Sequence, residues 1–268
     1  MIIYPQALVL SAPITLKNSR IGWQTYTRGG LPSAVTVSTE TTEGPKDAPL
    51  RSDTAEYWLA SAMPATYQYD TGAMRDIDYI ALGAHTCGSV GATVTAHTST
   101  DGSVWTAFGG SVFQTDDAPI MFIDEVRSTR HVRVTFTGAT PPRLGVLYTG
   151  KLLAMMRGCF VGHKPINLSR VTELRTTMSE GGHFLGQSYK RMGMRTSVTF
   201  QNLTGAWYRS DFESFVKAAR KYPYFWAWRP YDFPNDVGYV WTREDISPTN
   251  ERGGRMTVSW SMEGIGHE

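Results

Sequence analysis

Four segments between residues 67 and 136 alternate small or apolar residues with polar ones. They span 67–72, 78–84, 92–105 and 130–136. A period of two is typical of β-strands that bury one face. The sequence Ser-Thr-Asp-Gly at 99–102 predicts a turn, because the Asp101 side chain can bond its own backbone and Gly102 tolerates a positive φ. The pattern therefore restricts this region to an antiparallel β architecture.

The composition agrees with a β-rich globular chain. The 268 residues suffice for one large domain or two modest ones. Hydrophobic residues make up 41% of the chain and charged residues 19%, values that allow a sizeable core. Glycine, threonine and serine are plentiful, whereas helix-favouring runs are few. The net charge of +2 is too small to indicate a nucleic-acid partner.

Cysteine content and the first residues indicate where such a chain is made. Cys87 and Cys159 are too few for a disulfide framework, an all-cysteine zinc site or an iron–sulfur cluster, so we expect both to be reduced packing residues. Residues 1–10 lack a basic leader and contain Pro5, which favours a first strand over a signal peptide. No apolar run approaches membrane-spanning length. We expect synthesis in the cytoplasm and no membrane insertion.

The chain divides into two predicted domains near Gly150. Residues 1–20 have the character of an N-terminal arm, and 27–56 are polar and predict long loops. The strand-rich block then continues to about residue 150. We therefore predict one β domain over 1–150, including the arm, and a second domain over 151–268.

The second domain contains a predicted helix at 209–222. Ser210 and Glu213 have the spacing of a capping box, and Pro223 forbids continuation. The apolar residues have a spacing of i, i+3, i+4 and i+7, which gives one buried face: Phe212, Phe215, Val216 and Ala219. Alternating segments around the helix predict strands at 195–203, 222–230, 237–242 and 255–264.

The residues of catalytic chemistry do not fall into a recognisable pattern. The histidines have no metal-ligand spacing: His85, His97, His131, His163, His183 and His267. We expect the paired acidic residues to occupy solvated turns: Asp76 and Asp78, Asp116 and Asp117, Asp124 and Glu125. The glycine-rich segment 180–188 lacks the features of a phosphate loop or an esterase elbow and predicts a loop or turn. No catalytic, cofactor-binding or metal-binding residue is predicted, and the chain is not expected to be an enzyme.

Two groups of aromatic residues leave alternatives open. In segment 222–234, the alternating rings of Tyr224, Trp226 and Trp228 could fill a core while Phe225 and Ala227 pack under the helix. The segment could also form a ligand platform or a subunit interface. In the first domain, four rings could line a ligand surface or fill the core: Trp58, Tyr67, Tyr69 and Trp105. The loops 40–56 and 109–119 hold few aromatic residues, which disfavours sugar binding there.

The first domain resembles the discoidin, or galactose-binding-like, family. The resemblance lies in the order of Asp-x-Gly at 70–72, Val-x-Ala-x-x-Ser at 94–99, Asp-Gly-x-x-Trp at 101–105 and Arg-x-Val-Arg-Val-x-Phe at 130–136. It implies a jelly-roll β-sandwich that binds ligands or partners and rarely catalyses. Ligands of that family usually lie on loops at one end of the barrel.

The second domain resembles the minor tail proteins of long-tailed bacteriophages, including tail-tip and distal tail proteins. The resemblance covers roughly 150–268 and follows this order: 180–188, an alternating strand, the predicted helix, 222–230, 233–242 and 256–264. It implies a β-sandwich with one packed helix that assembles into rings, in some cases beside a galactose-binding-like domain. The cysteine clusters of the iron–sulfur-bearing members are absent, so no cofactor is expected.

Together these features predict a mainly β protein: a discoidin-like jelly roll followed by a β-sandwich-type domain with one packed α-helix at 209–222. The predicted function is that of a structural component of a phage tail tip or baseplate. It would form a ring-shaped homo-oligomer, bind other phage tail proteins and reside in the virion after assembly in the host cytoplasm. A carbohydrate-binding module for a host surface glycan is the alternative. A glycan-degrading enzyme is disfavoured, because no acid–base pair is recognisable.

Overall fold

The computed structural model describes residues 1–4 and 17–265, and for 189–192 it describes the backbone only. The predicted mainly β fold is confirmed. The predicted N-terminal arm lies mostly outside the described residues. The strands of the described part are β1 Ile2–Ile3, β2 Arg20–Gly22, β3 Val35–Val37, β4 Trp58–Leu59, β5 Ala65–His85, β6 Thr93–Ser99, β7 Thr106–Phe113, β8 Ile120–Thr137, β9 Arg143–Gly150, β10 Leu153–Ala154, β11 Arg170–Met178, β12 Phe184–Thr204, β13 Tyr224–Ala227, β14 Val237–Thr242, β15 Ser247–Glu251 and β16 Arg255–Ile265. Short 3₁₀ turns occur at Pro32–Ala34, Ala48–Leu50 and Ile166–Leu168.

The first sheet folds over itself into a jelly-roll sandwich. Its order is β4-β9-β5-β8-β6-β7, with β1 parallel to β8 and β3 antiparallel to β5. Strands β5 and β8 pair along most of their length, with a register shift between Asp70 and Arg75. Residues on both sides of this shift, such as Tyr67 and Leu82, enter the same core. The predicted alternation is confirmed, because every second residue of 65–69, 92–96 and 132–136 points into that core.

The second sheet has the order β10-β2-β13-β14-β16-β12-β11, with β15 also beside β16. Strand β2 lies between β1 and β3 of the first sheet in sequence, but it pairs with β10 and β13 of the second sheet. The chain therefore contributes one strand to the second sheet before it builds most of the jelly roll, and it returns to the second sheet afterwards. The division into domains at residue 150 stays a prediction; the first sheet does end at that residue, with β9.

The helix predicted at 209–222 is confirmed, but it both begins and ends earlier than expected. It consists of α1 Gly205–Trp207, a π-helical segment Tyr208–Phe212, and α2 Glu213–Ala219. The N-cap is Thr204, whose hydroxyl accepts a hydrogen bond from the backbone N–H of Trp207 at 3.3 Å. The predicted capping box is wrong, because Ser210 lies inside the helical stretch and donates to the Trp207 carbonyl instead.

The apolar face of the helix packs on the second sheet as predicted. All four predicted residues are buried: Phe212, Phe215, Val216 and Ala219. The rings of Phe215 and Tyr224 meet edge to face, with centroids 4.9 Å apart. The helix and the sheet therefore share one core, in which Trp226 and Trp260 also lie.

The opposite face of the second sheet packs on the jelly roll. Phe225 of β13 and Tyr239 of β14 meet Tyr148 of β9, with ring centroids 5.4 and 5.9 Å from that ring. The expectation that Phe225 and Ala227 pack under the helix is therefore wrong. Alternation predicts that they share a face, but the face that the helix covers depends on the path of the chain after β12.

Polar contacts fix this joint between the two sheets. The Tyr239 hydroxyl donates to the Ser52 carbonyl, and the Tyr79 hydroxyl donates to the Gln24 carbonyl, each at 2.7 Å. Gly22 lies against Tyr79 so closely that a Cβ there would stand 2.9 Å from the ring. The two sheets and the helix thus form successive packed layers with little room between them.

Candidate interaction surfaces

The acidic residues singled out in the sequence hold loops in place. Asp117 accepts hydrogen bonds from the amide and the hydroxyl of Ser89. Asp124 is buried, accepts from the Gly109 amide and pairs with Arg127. Asp78 is half-buried and accepts from the Leu152 amide, and burial raises its pKa to about 6. The expectation that these residues occupy solvated turns is therefore wrong for Asp78 and Asp124. The side chain of each is at least half-buried and accepts a hydrogen bond from a backbone amide.

The histidines are dispersed over the described part of the chain. His85 is buried, and the loss of solvent lowers its pKa to about 4. His97 is half-buried beside Arg133, and His163 lies against the rings of Trp226 and Trp228. His267 lies outside the described residues. Within 1–4 and 17–265, no three His, Cys, Asp or Glu side chains are placed to hold a metal ion.

Both cysteines are free and pack as predicted. Cys87 lies in the jelly-roll core, where burial raises the pKa of its thiol. Cys159 packs beside the second core, and its Sγ accepts a hydrogen bond from the Trp228 indole at 2.7 Å. No helix in the described part of the chain is long and apolar enough to cross a bilayer.

The aromatic candidates of the jelly roll fill its core. Trp58, Tyr67 and Tyr69 are buried, and the rings of Trp58 and Tyr67 stand 5.3 Å apart. They cannot line a ligand surface. Trp105 is half-buried, and the guanidinium of Arg133 lies 4.1 Å from the centre of its ring. The packing interpretation is therefore confirmed for three of the four residues.

The aromatic segment 222–234 is divided between core and surface. Tyr224, Phe225 and Trp226 are fully buried between the layers. Farther along, Trp228 and Phe233 stack with an interplanar angle of 6°, and Phe233 is partly exposed. The first part of the segment thus fills the two cores on either side of the second sheet, and the second part contributes rings to the surface.

The most exposed regular structure is a two-stranded ribbon, which consists of β11, the turn at 179–183 and residues 184–194 of β12. All nine residues of β11 are exposed. The loop or turn predicted at 180–188 is confirmed for 180–183 but is wrong for 184–188, which belong to β12. The Ser179 amide donates to the His183 carbonyl at 2.9 Å, and Gly182 has a φ of +80°. At the tip, the side chains of Met178, Phe184 and Leu185 are 60–64% exposed.

The ribbon has a well-anchored root. From Met194 to Thr204, strand β12 pairs with β16 inside the second sheet, and Val198, Phe200 and Leu203 are buried there. Before Met194, only β11 pairs with β12 among the described strands. The same strand is therefore buried in its second half, at Val198, Phe200 and Leu203, and exposed at its start, at Phe184 and Leu185. The sequence did not reveal this ribbon, because segment 170–178 has its apolar residues at Val171, Leu174 and Met178 and so lacks the period of two that indicates a strand.

A second surface feature is a cleft at the loop end of the jelly roll, with a volume of about 240 Å³. It lies between residues 113–118 and Asn235 of the second domain. Phe113 is 59% exposed, whereas Gln114 is buried. The Gln114 amide nitrogen donates to two backbone carbonyls at 2.7 Å, but its Oε1 has no hydrogen-bond partner among the described residues. The cleft thus combines an aromatic ring with polar atoms.

No known protein family and no curated protein matches this chain. Among solved structures, it is similar to the CBM32 module of a Clostridium perfringens GH89 protein in complex with GalNAc-β-1,3-galactose, at 12% identity, 43% coverage of this chain, 93% of that chain and a TM-score of 0.40. The lectin domain of lectinolysin, complexed with Lewis b antigen, matches at 11% identity, 48% and 96% coverage and a TM-score of 0.40. A Ruminococcus gnavus GH29 fucosidase in complex with fucose matches at 11% identity, 50% and 27% coverage and a TM-score of 0.41. The chain likewise spans only 28% of SpGH29, another similar structure.

Proposed function

We propose that this chain is a structural subunit that joins neighbouring proteins through its ribbon. The supporting observation is the apolar tip, where Met178, Phe184 and Leu185 lie mostly in solvent at the end of a rigidly rooted hairpin. Covering apolar surface contributes about 25 cal/mol per Å², so three such side chains favour association substantially. Exposed apolar patches on a well-ordered scaffold mark interaction sites.

Within this role, we propose the more specific function of a tail-tip or baseplate component of a tailed phage, assembled as a ring with other tail proteins. The resemblance of residues 150–268 to minor tail proteins supports it, and so does the layered architecture. A ring subunit needs a rigid fold with surfaces that bind its neighbours. Contacts between unlike surfaces of identical subunits form a ring when the rotation from one subunit to the next closes. We propose no catalytic role.

The test is self-association and binding of the neighbouring tail proteins by the wild-type chain and by Leu185→Asp. We expect Leu185→Asp to weaken both, because an aspartate at the tip would have to be desolvated in the interface. Val104→Asp is the matched control, since Val104 is also an exposed apolar residue but lies on a jelly-roll turn. A wild-type chain that neither self-associates nor binds tail proteins would refute the proposal.

Glycan binding by the jelly roll is a second candidate, favoured by the cleft at its loop end. Phe113 offers an exposed ring on which a sugar face can stack. A glycan array would test it with Phe113→Ala and the control Val104→Ala. Binding that is lost only in Phe113→Ala would support this candidate, and an array without any bound glycan would exclude the tested sugars.

A further inference from the structure

A groove lies at the root of the ribbon, on the side away from the tip. It has a volume of about 460 Å³, and its lining includes Val171, Glu173, Arg195, Trp241, Glu263 and Ile265; we call it the acceptor groove. Trp241 pairs with Glu263 across β14 and β16, and Glu263 pairs with Arg195 across β16 and β12. Because residues opposite each other share a face, this row continues the face on which Tyr239 packs against the jelly roll. The groove is the part of that face that the jelly roll leaves open.

The acceptor groove combines apolar walls with exposed arginine side chains at its edge. Trp241 and Ile265 are half-buried, and Val171 is exposed. Nearby, Glu263 is buried, and the same carboxylate oxygen accepts from Arg195 at 2.6 Å and from Arg243 at 3.2 Å. Two half-exposed guanidinium groups thus share one carboxylate. Glu173, at the rim, has an interaction of its own.

The ribbon tip has the complementary chemistry. It presents the apolar side chains of Met178, Phe184 and Leu185 around a turn that carries the exposed carboxylate of Glu180. The tip cannot reach the groove of its own chain, because the seven residue steps from Val171 to Met178 place it roughly 23 Å away along the strand. The occupant that fits must therefore come from another molecule.

We infer that the acceptor groove binds the ribbon tip of a second copy of this chain, with the apolar tip residues against Trp241 and Val171 and with Glu180 near Arg195 and Arg243. This inference rests on the proposed assembly function and names the partner surface. Because the tip and the groove are different patches, the contact is head to tail and leaves one free tip and one free groove at each step. Such a contact extends into a ring or a filament.

The test compares sedimentation of the wild type, the tip variant Leu185→Asp, the groove variant Val171→Asp and the control Val104→Asp. We expect the wild type and the control to form oligomers, and each interface variant to bind itself at least tenfold more weakly. An equimolar mixture of the two variants should stop at a dimer, since it contains one intact tip–groove pair. Both mutated positions are exposed, so the variants should fold, and circular dichroism checks this.

The outcomes separate the inference from the assembly function. If Leu185→Asp lost assembly while Val171→Asp assembled like the wild type, the ribbon would still be the assembly element, but the acceptor would lie elsewhere. A wild type that is monomeric at every concentration would overturn the inference, and binding of other tail proteins would then decide the assembly function. Disulfide trapping gives a second readout: Leu185→Cys mixed with Val171→Cys should yield a cross-linked heterodimer, and its absence in an assembling mixture would contradict the inference.

Discussion

Strands β5 and β12 have the same length of 21 residues and opposite surroundings. Strand β5 has neighbours along most of its length, in β3, β8 and β9, and its inward residues are buried at 65–69 and again at 77–82. Strand β12 is buried only in its second half, and its first half projects into solvent with β11. Alternation is present in the buried parts of both strands, for example at Val198 and Phe200 of β12, but it is absent from the exposed start of β12 at 184–188. The pattern therefore identifies strands that complete a core and misses a strand that awaits a partner.

The two regions differ in what covers their apolar side chains. In the jelly roll, the rings of Trp58, Tyr67 and Phe136 cover one another within the chain. At the ribbon tip, no described residue buries Phe184 or Leu185. The jelly-roll core stabilises the fold, whereas the ribbon tip leaves apolar surface exposed that another molecule can cover. The predictions below test this contrast.

The largest expected effect is the loss of stability in Phe136→Ala. This ring is fully buried in the jelly roll, so its removal should cost about 3–5 kcal/mol of unfolding free energy. Leu174→Ala on the ribbon should change it by less than about 0.5 kcal/mol. Chemical denaturation measures both, and comparable losses would contradict the contrast between the two regions.

A smaller effect is expected from Asp78 at the joint between the sheets. Burial raises the pKa of its carboxyl from 3.8 to about 6, partly offset by the Leu152 amide, Lys151 and Arg20. The folded state therefore holds its proton more tightly than the unfolded state, and stability from this group falls as the pH rises from about 4 to 6. Above about pH 6 the carboxyl is ionised in both the folded and the unfolded state, so the loss of stability no longer changes with pH.

Asp78→Asn removes this titration. The stability of the wild type minus that of Asp78→Asn should therefore decrease between pH 4 and 6 and then remain level, as measured by urea unfolding at several pH values. A difference that increases over this window would show that the ionised carboxylate is stabilised at the joint.

The smallest effect concerns the end of β12, where the strand becomes the helix. Thr204→Ala should cost about 1 kcal/mol, because the hydroxyl of Thr204 caps the helix. Ser210→Ala should cost less than about 0.5 kcal/mol, because Ser210 lies within the helical stretch. Thermal unfolding measures the loss of stability in both variants. A larger loss for Ser210→Ala than for Thr204→Ala would support the capping box that the sequence predicted.

Sequence patterns predicted those parts of the fold that depend on local periodicity. The alternation at 130–136 and the apolar face of the helix are both confirmed, because each buries one face against a core. Strand β2 was not predicted: three residues, Arg-Ile-Gly, are too short to show a period, and their pairing depends on distant strands. The start of the helix was predicted too late because serine is a residue type that often caps helices, which drew the prediction to Ser210. In the structure, the helix begins directly after β12 ends, with Thr204 as its N-cap.

The candidate surfaces were harder to predict than the fold. The sequence directed attention to the aromatic segment 222–234, whose first part proved to be core. The ribbon has only ordinary residues, such as Leu174 and Met178, and its significance arises from the lack of a covering layer. Burial is a property of the whole fold, so no local pattern reveals where it is missing.

Hydrogen exchange at low and high protein concentration tests the central claim most directly. We predict that amides at 170–186 exchange quickly in the dilute protein and become protected on self-association, whereas the core amides of β5 are protected at both concentrations. Ribbon amides that exchange at the same rate in the monomer and in the assembled protein would contradict the account.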